Sequence, residues 1–87
     1  MNSPRLTKLF NFLEANPDDP FLLFAVAKEY EKLEVWEQAL NYYQKLSEEH
    51  ESYVGTYYHL GKLYERMEQP ESAWNIYKKG MEVAKSQ

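Results

Sequence analysis

The sequence predicts an all-α fold in which helix pairs stack on one another, and three observations support this prediction. The stretch from Ala27 to Tyr30 returns 34 residues later as Gly61 to Tyr64, with a small residue and then a tyrosine in both copies. Apolar residues recur at helical spacing, and no stretch shows the alternation of a half-buried strand. A fixed period of this length is typical of stacked repeats, because one unit alone cannot bury its apolar face.

Helix start signals divide the chain into five predicted helices with short links. Ser3 precedes Pro4, and Asp19 precedes Pro20, so each pair places a capping oxygen ahead of a proline in the first helical turn. Ser52 is the predicted N-cap of the fourth helix. The predicted ranges are 4–16, 20–33 and 36–49 for the first three helices, with the fourth following Ser52 and the fifth beginning at Pro70.

Two glycines lie inside the apolar stripes of the last two predicted helices. Gly61 and Gly80 stand where an apolar side chain would normally face the core. Glycine inside a helix costs about 1 kcal/mol relative to alanine, so a compensating contact is needed. We therefore expect a neighbouring helix to approach closely at both positions.

Charge and hydropathy limit the classes of partner. The chain has a formal net charge of −4 with both signs interspersed, which argues against nucleic acid because that partner favours a basic face. No apolar run approaches the roughly 18 residues of a membrane-spanning helix, and the start at Met1 lacks the apolar segment of a signal peptide. We predict no membrane association and a cytoplasmic location.

Neither a catalytic site nor a metal site is predicted. The chain has no cysteine and only two histidines, His50 and His59, whereas a zinc site needs three or four ligands. It contains no Gly-rich phosphate loop and no Ser-His-Asp pattern, and its carboxylates are scattered over polar helix faces. The sequence therefore indicates a protein that is not an enzyme and that uses no cofactor.

From Pro20 to Lys85 the chain resembles two tandem tetratricopeptide repeats (TPRs), each an antiparallel helix pair. The residues that carry the resemblance are Leu23, Ala27, Tyr30, Ala39 and Tyr43 in the first copy and Tyr57, Leu60, Gly61, Tyr64, Ala73 and Tyr77 in the second. The resemblance implies a right-handed α-α superhelix of five antiparallel-stacked helices. It further implies a single domain over residues 1–87, with a leading half-repeat helix at 4–16, a first repeat at 20–53 and a second at 54–87.

The chain departs from the family pattern at the turn inside each helix pair. Glu34 and Glu68 stand there, where the family often has glycine because the backbone adopts a positive φ. In this family the first helix of each repeat lines a concave groove that binds a peptide or a helix of a partner protein. The resemblance assigns to that groove Phe21, Phe24, Lys28, Glu31, Tyr58, His59, Lys62, Glu65 and Arg66.

Aromatic and lysine residues recur as pairs along the implied groove. Phe24 precedes Lys28 by four residues and Tyr58 precedes Lys62 by four, so ring and ammonium share one helical face. This pairing favours an acidic, partly apolar segment of another protein. The alternative is that these residues form ordinary solvated faces, with Phe21 and Phe24 packed against Phe10 and Phe12.

A structural role is the competing hypothesis for function. Leu9, Phe10 and Leu13 are expected to open one end of the stack, and Trp74, Tyr77 and Met81 the other. The leading helix of one copy would then cover the trailing end of the next, giving a homo-oligomer.

Overall fold

The computed structural model describes residues 3–87, which form five α-helices in chain order. They are α1 (Pro4–Ala15), α2 (Pro20–Lys32), α3 (Trp36–Glu49), α4 (Gly55–Arg66) and α5 (Pro70–Lys85). These residues contain no strand, and the all-α prediction is confirmed. Each helix packs on its neighbour in the chain, α1 on α2, α2 on α3, α3 on α4 and α4 on α5. Met1 and Asn2, which the single-domain prediction also covers, lie outside the described residues.

The two proline-led helix starts form as predicted. The N–H of Leu6 donates to Ser3 Oγ at 3.2 Å, and the N–H of Phe21 donates to the carboxylate of Asp19 at 2.9 Å. In each case the proline occupies the first helical turn, where its missing N–H leaves no hydrogen bond unmade. The predicted ends are one residue too long, since α1 ends at Ala15 and α2 ends at Lys32.

The prediction that Ser52 caps α4 is wrong. The helix begins at Gly55, and no side chain caps its first N–H groups. Tight turns occupy the intervening backbone, with the N–H of Tyr53 on the carbonyl of His50 at 3.0 Å and the N–H of Thr56 on the carbonyl of Tyr53 at 3.1 Å. These turns delay the helix by two residues, so Ser52 lies too far upstream to reach its free N–H groups.

The turns inside the two helix pairs are identical. Glu34 has a φ of 62° and Glu68 a φ of 59°, so both glutamates adopt the left-handed conformation that favours glycine. After α2 the N–H of Val35 reaches the carbonyl of Tyr30 at 2.9 Å, and after α4 the N–H of Gln69 makes the equivalent bond at 2.8 Å. This is the Schellman motif, which satisfies the last carbonyls of each helix and turns the chain into the next one.

The core lies between the helix pairs and joins three helices. A cluster of buried residues from α2, α3 and α4 comprises Leu23, Ala27, Ala39, Tyr43, Leu46, Leu60 and Leu63. Of the repeat-signature residues, Leu23, Ala27, Ala39, Tyr43, Tyr57, Leu60, Gly61 and Ala73 are buried, whereas Tyr30, Tyr64 and Tyr77 are half-buried. The second helix pair thus completes the core of the first, as expected when one unit cannot bury its apolar face alone.

Both helix-interior glycines mark close approaches between α4 and α5. A Cβ added to Gly80 would lie 2.6 Å from the Cβ of Tyr57, and one added to Gly61 would collide with the ring of Tyr77. The expected compensation for these two glycines is therefore present, because any larger side chain would hold the two helices apart.

The leading helix is already covered on its apolar side. Leu6 and Leu9 are buried in a cluster with Val26 of α2, and Leu13 is half-buried beside them. The expectation that Leu9 opens one end of the stack is therefore wrong, because helix α1 uses this stripe to pack on α2.

The phenylalanines do not pack as the alternative interpretation of the sequence predicts. Phe10 packs on Tyr30 of α2 at a centroid distance of 6.4 Å, and Phe24 packs on residues of α3 and α4 rather than on α1. The side chains of Phe12 and Phe21 remain 58% and 66% exposed. The proposed contact of Phe21 and Phe24 with Phe10 and Phe12 is therefore absent, since α1 meets α2 along a different face.

Candidate functional site

The residues assigned to the groove come from α2 and α4, and we call the surface they form the α2–α4 surface. Phe21, Lys28, Tyr58, Lys62, Glu65 and Arg66 are exposed on it, whereas Phe24, Glu31 and His59 are half-buried. The two groups have different roles, because the exposed side chains offer most of their surface to a partner, whereas the half-buried ones also bond to or pack on their neighbours.

An aromatic cluster fixes α2 against α4 beneath this surface. The ring of His59 lies 5.1 Å from that of Phe24, edge to face, and stacks on Tyr43 at 6.2 Å with an interplanar angle of 9°. Tyr53 closes the other side of Phe24 at 5.6 Å. Phe24 and His59 are thus occupied by each other and by their neighbours. Tyr58 touches the edge of His59 at 5.3 Å but keeps 60% of its surface exposed.

The surroundings of His59 favour the neutral form of its imidazole. Burial lowers the pKa of the imidazole, the nearby ammonium of Lys28 lowers it further, and the carboxylate of Glu31 opposes both effects. A neutral ring suits a position between two apolar rings, because burying an imidazolium there would cost solvation free energy.

One hydrogen bond is repeated in both helix pairs at the same offset along the chain. The hydroxyl of Tyr43 donates to Glu31 at 2.6 Å, and that of Tyr77 donates to Glu65 at 2.6 Å. Burial and the bonded carboxylate raise the pKa of Tyr43 well above its usual range, and the same causes raise the pKa of Tyr77 to about 12. Both glutamates are therefore fixed in place by a tyrosine.

A cavity of about 500 Å³ opens where α1, α2, α3 and α4 meet. Its lining residues are Arg5, Lys28, Glu29, Glu31, Lys32, Trp36 and Arg66. A second cavity of about 380 Å³ adjoins it on α4 and shares Glu31 and Arg66 with the first. The basic and acidic side chains of the α2–α4 surface thus line two adjoining cavities.

The acidic groups of the main cavity already have partners. Glu29 is only 7% exposed, and it accepts a hydrogen bond from Ser3 Oγ at 3.0 Å while Arg5 Nε lies 3.4 Å from its other oxygen. Glu31 accepts the hydrogen bond of Tyr43. Within residues 3–87, by contrast, neither Lys28 nor Lys32 forms an ion pair. The charge available to a ligand in this cavity is therefore positive.

Trp36 forms the apolar wall of the same cavity. The guanidinium of Arg66 lies 5.0 Å from the centre of its ring, which joins the start of α3 to the end of α4. Trp36, Arg5 and Glu29 were not among the residues predicted from the sequence. Glu29 alone gave a signal, since it follows Val26 by three residues on an apolar helix face; the contacts of Arg5 and Trp36 are purely tertiary.

Two solved structures share this architecture. The solution NMR structure of a tetratricopeptide repeat domain protein from Salinibacter ruber is 46% identical in sequence, with a TM-score of 0.78, and the match covers 80% of this chain and 71% of that one. A crystal structure of a tetratricopeptide repeat domain protein from the same organism is 44% identical, with a TM-score of 0.76, over 80% of this chain and 78% of that one. The chain belongs to the tetratricopeptide repeat family.

Searches against protein-family models and against curated proteins give no match, so membership of the TPR family rests on the solved structures. TPR domains are helical repeat modules that generally mediate protein interactions and are typically non-catalytic scaffolds. In the part of the chain that the structure describes, no helix has the length and hydropathy needed to cross a membrane. The same residues bring together no group of three His, Asp or Glu side chains able to hold a metal ion.

Proposed function

We propose that the α2–α4 surface binds an acidic, partly apolar segment of another protein, and that the chain acts as a non-enzymatic interaction module. The observation that carries this proposal is the cavity of about 500 Å³, in which Glu29 and Glu31 are already bonded while Lys28 and Lys32 are not. A carboxylate entering the cavity would find two ammonium groups and the guanidinium of Arg66.

Exposed rings supply the apolar part of the proposed contact. Tyr58 is 60% exposed and Phe21 66% exposed, each on the N-terminal part of its helix, while the lysines follow further along. A segment lying across α2 and α4 would contact the exposed rings near the N-terminal ends of these helices and the lysines further along them. Aromatic side chains provide much of the binding free energy at protein interfaces, whereas charges at the rim contribute mainly to specificity and association rate.

The self-association hypothesis is less well supported as a head-to-tail arrangement. It requires apolar residues at both ends of the stack, but Leu9 is buried and Phe10 and Leu13 are half-buried against α2. Of the six apolar residues that this hypothesis names, only Trp74 and Met81 at the trailing end are exposed.

A peptide-display selection against the folded chain tests the proposal. We expect wild type to enrich peptides that combine Asp or Glu with aromatic or aliphatic residues. For one enriched peptide, fluorescence polarisation should give a dissociation constant about tenfold higher for the Lys28→Glu, Lys62→Glu variant, since two charge reversals at a partly exposed site cost on the order of 1.4 kcal/mol.

The matched control is Lys8→Glu, Lys45→Glu. It makes the same change in net charge at exposed lysines of α1 and α3 that line neither cavity of the α2–α4 surface. The control should bind the peptide within about twofold of wild type. If both variants lost the same affinity for the peptide, overall charge would explain the effect. Enriched peptides without acidic residues would contradict the proposed ligand class.

A further inference from the structure

The two adjoining cavities of the α2–α4 surface differ in the balance of charge along their walls. Lys62 and Arg66 line the smaller cavity together with Glu31 and Glu65, so its basic and acidic side chains are equal in number. The cavity of about 500 Å³, which we call the basic cavity, is lined by four basic side chains and two acidic ones. Its walls therefore carry an excess of positive charge that the smaller cavity lacks.

Three cations of the basic cavity have no acidic partner in the described part of the chain. Lys28 and Lys32 are one helical turn apart on α2, and neither they nor Arg66 forms an ion pair within residues 3–87. Of the two carboxylates in the cavity, that of Glu29 is already paired with Arg5. Like charges that line one cavity repel each other unless an anion lies between them. The geometry therefore favours a ligand that brings more than one negative charge to a single place.

Trp36 limits the positions that the guanidinium of Arg66 can adopt at this site. The guanidinium lies 5.0 Å from the centre of the Trp36 ring, which is half-buried at the start of α3. A guanidinium is planar and has five N–H donors, whose arrangement matches the oxygens of a phosphate group. Because Arg66 is already in contact with Trp36, less conformational entropy is lost when it binds an anion.

A phosphoryl group suits these donors better than a single carboxylate does. A phosphorylated side chain carries about −1.5 to −2 charges near pH 7 and has three acceptor oxygens. Its charge matches the excess of two basic groups in the cavity, and each of the three cations without an acidic partner could bind one oxygen. A carboxylate has one charge and two oxygens, so it would leave one of these cations unpaired.

We propose that the basic cavity binds a phosphorylated side chain of the partner segment, and that Lys28, Lys32 and Arg66 contact its oxygens. This inference rests on the proposed function, because it specifies the acidic group that the α2–α4 surface recognises at this point. The affinity of the partner for this chain then depends on whether that side chain is phosphorylated.

Titrations with small anions test the basic cavity directly. The probes are N-acetyl-phosphoserine amide, N-acetyl-glutamate amide and glutarate, whose two carboxylates carry about the same total charge as one phosphoryl group. The indole N–H signals of the two tryptophans report binding by NMR, because Trp36 lines the cavity and Trp74 does not. We expect the phosphoserine probe to shift the Trp36 signal with a dissociation constant at least about fivefold lower than those of the carboxylate probes, while the Trp74 signal stays unchanged.

Two variants identify the groups that contact the phosphoryl oxygens. Lys32→Gln should raise the dissociation constant of the phosphoserine probe about fivefold. Lys8→Gln is the matched control, since it removes the same charge from an exposed residue of α1 outside the cavity, and it should change the constant by less than about twofold. Arg66→Lys keeps the charge but loses the planar donors, so it should weaken binding of the phosphoserine probe more than binding of glutarate.

Several outcomes overturn the phosphoryl site. Equal affinities for the phosphoserine probe and glutarate, or an unchanged Trp36 signal, would do so and would leave the acidic segment of the proposed function in place. Inorganic phosphate that binds as tightly as the phosphoserine probe would assign the cavity to free phosphate instead. Peptide display that enriches no acidic residues would, by contrast, contradict the proposed function itself, whatever the small probes show.

Discussion

Two tyrosines make the same hydrogen bond in different surroundings, which allows the contribution of the bond to be separated from that of its environment. Tyr43 is fully buried and donates to the half-buried Glu31, whereas Tyr77 donates to the exposed Glu65. An acceptor left without a donor costs most where water cannot replace the donor. The bond of Tyr43 should therefore matter more to stability than the bond of Tyr77.

Tyr43→Phe should lower the free energy of unfolding by about 1–2 kcal/mol, because it leaves a carboxylate oxygen of Glu31 without its donor. Tyr77→Phe, the matched control, should lower it by less than about 0.5 kcal/mol, since water reaches Glu65. Urea unfolding followed by circular dichroism measures both. Equal losses in the two variants would contradict the assignment of the cost to burial.

The same two hydroxyls predict a loss of stability at alkaline pH. The pKa of Tyr77 is raised to about 12 in the folded chain, that of Tyr43 is raised as well, and an unfolded tyrosine titrates near pH 10. A raised pKa means that the folded state holds the proton more tightly. Its stabilisation is complete below about pH 10 and is lost as the pH rises towards 12.

Urea unfolding at a series of alkaline pH values tests this dependence, with tyrosinate absorbance following the titration. The Tyr43→Phe, Tyr77→Phe double variant should be less stable than wild type below about pH 10 but lose less stability above it. Curves that fall in parallel would assign the alkaline loss to other groups, such as Tyr42 and Tyr57, whose pKa values burial also raises.

At the scale of elements, the close packing of α5 on α4 depends on Gly80, which has no side chain. Gly80 lets α5 approach α4 so closely that an added Cβ would lie 2.6 Å from the Cβ of Tyr57. Tyr57 is itself buried, and its hydroxyl donates to the carbonyl of Glu51 at 2.8 Å, so it has little room to withdraw. The conflict lies next to the backbone of α4 and cannot be relieved by rotating a side chain.

Gly80→Ala should therefore destabilise the chain by about 1–3 kcal/mol, although alanine favours a helix by about 1 kcal/mol over glycine. Gly55→Ala is the control, since nothing lies within 4 Å of the Cβ it would add, and it should leave stability unchanged or slightly higher. Thermal unfolding of the two variants measures the difference. A more stable Gly80→Ala chain would show that propensity outweighs the close contact.

Local chemistry decides which elements can be predicted from the sequence. The starts of α1 and α2 follow from Ser3 and Asp19, because a capping oxygen ahead of a proline acts within one turn. The start of α4 could not be predicted, because no side chain caps it and backbone turns after His50 set its position. The turns at Glu34 and Glu68 followed from the repeat pattern, although neither residue favours a positive φ.

In the candidate site, too, some features follow from the repeat and others depend on tertiary contacts. The spacing of Lys28 and Lys62 on successive helices follows from the repeat, and both side chains are exposed on the α2–α4 surface. The packing of Phe24 on His59 and the contact of Ser3 and Arg5 with Glu29 join residues far apart in the chain. Such tertiary contacts have no signature in the spacing of one sequence, and they decide which charges remain free.

At the scale of the whole molecule, the helices form a linear series in which the extensive contacts join neighbours along the chain. Helices α2, α3 and α4 each have a neighbour on both sides and share the main core, whereas the extensive contacts of α5 are with α4. Stability in such arrays is approximately a sum over units and nearest-neighbour interfaces, so an end can open without its neighbours. The buried residues of α5 are small, Ala73 and Gly80, which limits the apolar area that holds it.

Helix α5 should therefore open more readily than the centre of the stack. In native-state hydrogen exchange, the amides of α5 should show lower free energies of opening than those of α2 and α3, which should approach the value for global unfolding. Helices α2 and α3 provide the internal reference, because each of them packs on a neighbouring helix on both sides. Equal protection from α2 to α5 would instead mean that the helices unfold as one cooperative unit.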